Sequence, residues 1–119
     1  MTDPSCLFCR IVRGEIPAAI VAETDDALAF RDIAPQAPVH VLVIPKAHVA
    51  SLDAATDAAR LGAVTLLAAE VARREGVAGS GYRVVTNIGA DGGQSVAHLH
   101  FHVLGGQGMG WPPFPAGRG

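Results

Sequence analysis

Two periodicities organise the apolar residues of this chain. Between residues 57 and 75, Leu61, Val64, Ala68 and Val71 recur at three- and four-residue steps, with Leu66 and Leu67 widening the stripe. That spacing predicts one long amphipathic helix. Asp57 near its start, Arg73 and Arg74 in its last turn and Gly76 beyond agree with helix capping and the helix dipole. Residues 5–13 predict a shorter helix, with Ser5 as its cap, Leu7, Phe8, Ile11 and Val12 at helical spacing, and Gly14 after its end. Elsewhere the pattern is that of strands. Residues 39–44 (Val-His-Val-Leu-Val-Ile) form a nearly continuous apolar run, as in a central strand covered on both faces, and Pro45 ends it. Residues 20–24 and 27–31 read as two short strands joined at Asp25-Asp26, and 81–87 as another. Pro35 and Pro38 mark a loop, and Ser51 is placed to cap the segment that follows His48.

The stretch 94–104 alternates most strictly. His98, His100 and His102 occupy every second position, with Leu99, Phe101 and Val103 between them. In an extended strand the three imidazoles share one face about 6.6 Å apart, and the apolar residues face the core. Asp91-Gly92-Gly93-Gln94-Ser95 before it reads as a turn that presents backbone N–H groups. The tail from Gly105 is rich in glycine and proline and is expected to lack regular structure, with Trp111 and Phe114 packing somewhere. Strands before and after one long helix predict an α+β domain with a mostly antiparallel sheet, occupying residues 1–119 as a single unit.

Composition narrows the function. With 119 residues, half of them apolar and 17% charged, the chain has room for one core. The formal net charge is -2 and no basic block exceeds Arg73-Arg74, which argues against binding a nucleic-acid polymer. No stretch approaches the ~20 apolar residues that cross a bilayer, and no signal-peptide pattern opens the chain, so a cytoplasmic protein without membrane contacts is expected. The two cysteines, Cys6 and Cys9, are spaced Cys-x-x-Cys; in a reducing compartment this points to metal or redox chemistry more than to a structural disulfide.

The residues themselves leave several readings of the histidines open. Three histidines can line the wet face of an edge strand, hold a catalytic metal, or act as a neutral nucleophile with flanking proton donors. A neutral imidazole is available near pH 7 because the ordinary pKa is about 6.5. The middle residue, His100, is the natural nucleophile, and attack on phosphorus would give a phosphohistidine. Cys6 and Cys9 supply two soft ligands and need two more, for which His48 and His98 are candidates; idle thiols on one helical turn are the plain alternative.

The segment Gln94-Ser-Val-Ala-His-Leu-His-Phe-His-Val-Leu104 resembles the signature of the histidine-triad (HIT) superfamily. The likeness extends to residues 6–17, to residues 30–48, and to Asn87-Ile-Gly-Ala-Asp-Gly-Gly-Gln-Ser95 and Trp111-Pro-Pro113, the last two resembling its Hint branch. The resemblance implies a homodimer with one sheet continuous across both subunits, and hydrolysis of purine nucleoside phosphoramidates with no organic cofactor. By matching position, His100 would be the nucleotidylated nucleophile. His102 and Ser95 would serve the phosphate or the leaving group, with Asn87, Gly93 and Gln94 around it. Asp32 would hold the ribose, while Leu7, Phe8, Ile11, Phe30 and Ile33 would wall the base. Cys6, Cys9, His48 and His98 match the ligands of a structural zinc found in many bacterial members, which would take His98 out of the catalytic group. His40 is either a support for the triad or a buried histidine of the central strand. The alternatives within this resemblance are a Fhit-like dinucleoside polyphosphate hydrolase, and a nucleotide-binding or scaffold protein whose hydrolysis is vestigial. The chain departs from its relatives at Gly108-Met109-Gly110 and in continuing past Pro113, a region that influences leaving-group preference in those proteins.

Overall fold

A computed structural model describes residues 3–113. Its elements follow the order α1 (Leu7–Val12), β1 (Ile20–Glu23), β2 (Ala27–Arg31), β3 (Val39–Pro45), a 3-10 turn (Leu52–Ala54), α2 (Ala58–Arg74), β4 (Tyr82–Thr86) and β5 (Phe101–Gly105). The fold is α+β, with five strands in the order β1-β2-β3-β5-β4, every neighbouring pair antiparallel. No helix among the described residues is long and apolar enough to cross a membrane.

Alternation along the strands creates two cores. Ala27, Ala29, Val41, Val43, Phe101 and Val103 point to the face covered by α2, where they meet Val64, Leu67, Ala68 and Val71. Leu28, Phe30, Leu42 and Ile44 point to the opposite face, where Phe8 of α1 joins them. The central strand β3 is therefore buried on both sides, as its continuous apolar run requires.

The long helix starts where Asp57 accepts the Arg60 N–H, a cap of about 1 kcal/mol. It ends before Gly76, whose φ of +76° suits a left-handed terminus. Leu66 departs from expectation: it is 72% exposed, because position 66 lies off the stripe of 64, 67, 68 and 71. At the short helix the cap is Cys6 rather than Ser5, its sulfur accepting the Cys9 N–H, while Ser5 bonds Asp3 instead. Ser51 precedes the 3-10 turn without a side-chain cap bond. Trp111 is 82% exposed and lies with its ring 6.0 Å from the Arg83 guanidinium rather than in a core. Phe114 lies outside the described residues.

Candidate active site

The histidine stretch is not one regular strand. Hydrogen-bonded pairing begins at Phe101, and residues 96–98 bend before it. The bend lets Leu99 N–H bond Val49 O and separates His98 from the other two imidazoles. All three histidines nevertheless share the α1 side of the sheet, and none is on a wet face: His98 is 0% exposed, His100 4%, and His102 half-buried.

His98 turns toward the cysteines. Its Nδ1 lies 3.3 Å from Cys6 Sγ and 3.5 Å from Cys9 Sγ, and His48 Nδ1 lies 3.4 Å from Cys9 Sγ. Zinc–sulfur and zinc–nitrogen bonds at a tetrahedral angle place such atoms about 3.6 Å apart, so the four donors fit a tetrahedral ion. His98 Nε2 donates to Pro45 O at 2.9 Å, which leaves the Nδ1 lone pair facing the sulfurs. Burial lowers the His98 pKa to about 4, keeping the ring neutral, and burial raises that of the Cys9 thiol. A bound cation would reverse the second effect by favouring thiolate. Backbone N–H groups already point at both sulfurs, from Asp3 to Cys9 and from Cys9 to Cys6.

His100 is oriented differently. Its Nδ1–H donates to the carbonyl of His98 at 2.7 Å, which leaves the Nε2 lone pair free. Thr86 Oγ1 on β4 bonds the His100 carbonyl at 2.9 Å, and the edge of Phe8 packs on the ring at 5.2 Å between centroids. The ring is thus fixed in tautomer and angle.

His102 belongs to a second group. Gln36 N–H donates to His40 Nδ1 at 3.0 Å, so the neutral His40 ring carries its proton on Nε2. That proton points to His102 Nδ1 at 2.8 Å, and Asp32 Oδ2 lies 3.4 Å from His40 Nε2. His102 then keeps its own proton on Nε2, as a donor. Burial, followed by the nearby His100 and His40, lowers the His102 pKa to about 4; burial also lowers that of His40, against the pull of Asp32. Between pH 6.5 and about 4 the unfolded His102 takes up a proton that the folded one refuses, so acidification through this window costs stability. The central-strand His40 is therefore tied to the triad.

Beside His100 and His102 lies a cleft of about 310 Å³, within the range of small-ligand sites. Leu7, Phe8, Ile11, Phe30, Asp32, Ile33 and Ser95 all line it, together with Leu42, Val96 and residues 16–18. Ile33 at its lip is fully exposed. Another cleft, of about 340 Å³, lies between the 3-10 turn and the start of α2, away from His100 and His102.

An apolar cleft thus ends on a tautomer-fixed imidazole within His-x-His-x-His, and the sequence profile of the HIT domain matches residues 13–109. The chain belongs to the HIT family. It is 54% identical over 109 residues to an uncharacterised HIT-like protein of Synechococcus elongatus, covering 90% of this chain and 95% of that one. To a similar protein of Synechocystis sp. the identity is 55% over the same shares. Its fold matches a HIT family hydrolase from Legionella pneumophila with a TM-score of 0.89 at 48% identity, spanning 92% of this chain and all of the other. A HIT family hydrolase from Clostridium thermocellum gives the same TM-score at 44% identity, over 92% and 96% of the two chains.

The HIT loop before the triad folds more tightly than a free donor loop. Gly93 N–H bonds Ala90 O and Gln94 N–H bonds Gly89 O, each at 3.1 Å, so these two donors serve the turn. Asn87 Nδ2 holds Gly92 O at 2.7 Å, and Gln94 Nε2 bonds Ala50 O and Val96 O. A Cβ on Gly92 would sit 2.2 Å from Ile88 O, so only glycine fits there. Asn87 and Gln94 thus shape the loop, while Ser95 beyond it reaches the cleft. Residues 16–18, Arg31, Leu42 and Val96 also line the cleft without standing out in the sequence. Pro17 in the connection and the even-numbered face shared by Leu42 and His40 were the available signals.

Proposed function

We propose that this HIT protein hydrolyses purine nucleoside phosphoramidates, as a member of the Hint-like branch. The reading is carried by the His100 Nδ1–His98 O bond of 2.7 Å, which leaves a free Nε2 lone pair beside an apolar cleft. In this scheme His100 Nε2 attacks the phosphorus, a P–N bond forms and the substrate's own P–N bond breaks. The departing amine takes up a proton. Water then attacks the nucleotidyl-histidine, releasing the nucleoside monophosphate and the free imidazole. His102, with its proton on Nε2, and Ser95 donate to the phosphoryl oxygens or the leaving nitrogen. Phe8, Phe30, Leu7, Ile11 and Ile33 hold the purine, and Asp32 at the cleft binds the ribose hydroxyls. No basic patch is needed, because neutral donors meet the phosphate.

The test is a turnover panel of adenylated and guanylated amines beside a dinucleoside polyphosphate. The expected result is faster turnover of the amines. Preference for the polyphosphate would instead indicate the Fhit-like branch, and no turnover of either would leave a binding protein.

We further propose that Cys6, Cys9, His48 and His98 hold one structural zinc, which would cross-link α1 to the segment leaving β3 and the segment entering β5. A homodimer through β4 completes the proposal. This strand is at the edge of the sheet, and Tyr82 and Val84 are exposed on it, the arrangement that pairs with a second copy. Sedimentation at micromolar concentration is expected to give twice the 12.2 kDa chain mass. A monomer under those conditions rules the dimer out.

A further inference from the structure

α1 is six residues long, too short to persist as an isolated helix. Yet it carries Leu7, Phe8 and Ile11 into the cleft. Phe8 packs edge-on against Phe30, His98 and His100, with centroids 5.5, 5.9 and 5.2 Å away. The same short helix starts at Cys6 and contains Cys9, so its polar fastening is the cluster with His48 and His98. One wall of the cleft and two of the four donors of the cluster therefore belong to one element.

The chemistry of the two thiols is distinctive as well. Cys6 is the helix N-cap and Cys9 lies three residues on, with the Cys9 N–H donated to Cys6 Sγ at 3.4 Å. Two cysteines one turn apart allow a sulfenic acid formed on one sulfur to be resolved by the other. Cys6 is half-buried and Cys9 buried. A surface hollow of about 400 Å³, lined among others by Ser5, Cys6, Leu7 and His48, gives a small oxidant access to the first sulfur.

We propose that the Cys6/Cys9 pair is a peroxide-sensitive latch on the nucleotide cleft: its oxidation to a disulfide disbands the four-donor cluster, frees α1 and weakens nucleotide binding. The inference rests on the nucleotide and zinc readings above. The Cys6 sulfur attacks one oxygen of a peroxide, the O–O bond breaks, and the leaving hydroxide takes a proton to become water. Cys9 then attacks the Cys6 sulfenic acid. An S–S bond forms, the S–O bond breaks, and a second hydroxide is protonated to water. Two electrons have passed from the sulfurs to the peroxide, and only two imidazoles remain as donors. A disulfide within one helical turn does not tether α1 to the sheet, so it cannot replace the lost cross-link. His100 keeps its own hydrogen bonds throughout.

The experiment uses the zinc-loaded wild-type chain before and after hydrogen peroxide. Free thiols, released zinc, amide exchange of residues 7–12 and AMP affinity are measured together. The expected result is a Cys6–Cys9 disulfide, stoichiometric zinc release, and faster exchange in α1 with α2 unchanged. The AMP dissociation constant should rise by about tenfold, with all changes reversed by a dithiol and zinc. Unchanged exchange of residues 7–12 after complete oxidation overturns the latch, as does peroxide that leaves both thiols and the zinc in place. If the untreated protein fails to bind AMP, the nucleotide reading and the cleft-weakening half of the latch fail, while the exchange data still decide whether α1 is released.

Discussion

His100→Gly should abolish phosphoramidate turnover, by at least roughly a thousandfold, while AMP still binds. The expectation follows from how the ring is held. The His98 carbonyl fixes the proton on Nδ1 at 2.7 Å, Thr86 holds the His100 backbone, and Phe8 limits the ring's rotation. Neither neighbour can take over. His98 faces the cysteines through Nδ1 and Pro45 through Nε2, and His102 accepts from His40 on Nδ1. His102 stays neutral down to about pH 4, so it remains a donor across the working range. Because the variant loses the nucleophile and keeps the apolar walls, KM or AMP affinity should move far less than kcat. Added imidazole, which can enter the space left by the ring, should restore part of the rate. Steady-state kinetics and AMP titration on the same preparation make the check, and wild-type turnover in the variant would refute the mechanism.

How much of this was legible in the sequence depended on whether a signal was local. The long helix was, because Asp57, the 64/67/68/71 stripe and Gly76 act over a few residues and need no partner. So was β3, whose nearly continuous apolar run, broken only by His40, is buried on both faces. The histidine stretch was legible in its sidedness and not in its shape. Alternation correctly buried Leu99, Phe101 and Val103 in a core, which the fold makes the one under α2. It could not show that residues 96–98 bend, because that bend is set by the distant contacts of Leu99 with Val49 and of His98 with Pro45. The Ser5 cap failed for a related reason: a serine is the commoner cap, but here Cys6 is held by His98, 92 residues away. Which of the two readings of His40 holds was equally out of reach, since its register opposite Leu104 and its bond to His102 exist only once β3 and β5 pair. The cleft residues came through the resemblance. Hydrophobicity alone does not separate Ile33, fully exposed at the lip, from a core residue.

The second large effect is expected at His98. Its side chain is fully buried, bonds Pro45 O through Nε2 and meets both cysteine sulfurs through Nδ1. His98→Ala removes the ring, leaves a cavity against Phe8 and strips the Pro45 carbonyl of its partner. Such losses together cost about 3–5 kcal/mol before any metal contribution, so the melting temperature should fall by at least about 10 °C. The metal contribution is separated by chelation of the wild type. If zinc occupies the cluster, protein purified without chelator holds about one zinc per chain, His98→Ala holds almost none, and stripping the wild type lowers its melting point toward that of the variant. If the four side chains are held only by their mutual hydrogen bonds, chelation changes nothing while the substitution still destabilises. A wild type that is metal-free and melts unchanged after chelation would sink the zinc claim and leave the packing argument standing. The two outcomes differ because a metal joins α1 to the segments that follow β3 and precede β5 at once, whereas hydrogen bonds to neutral thiols are weak and replaceable. On the same short stretch, then, the first histidine is tested by stability and metal content and the second by turnover.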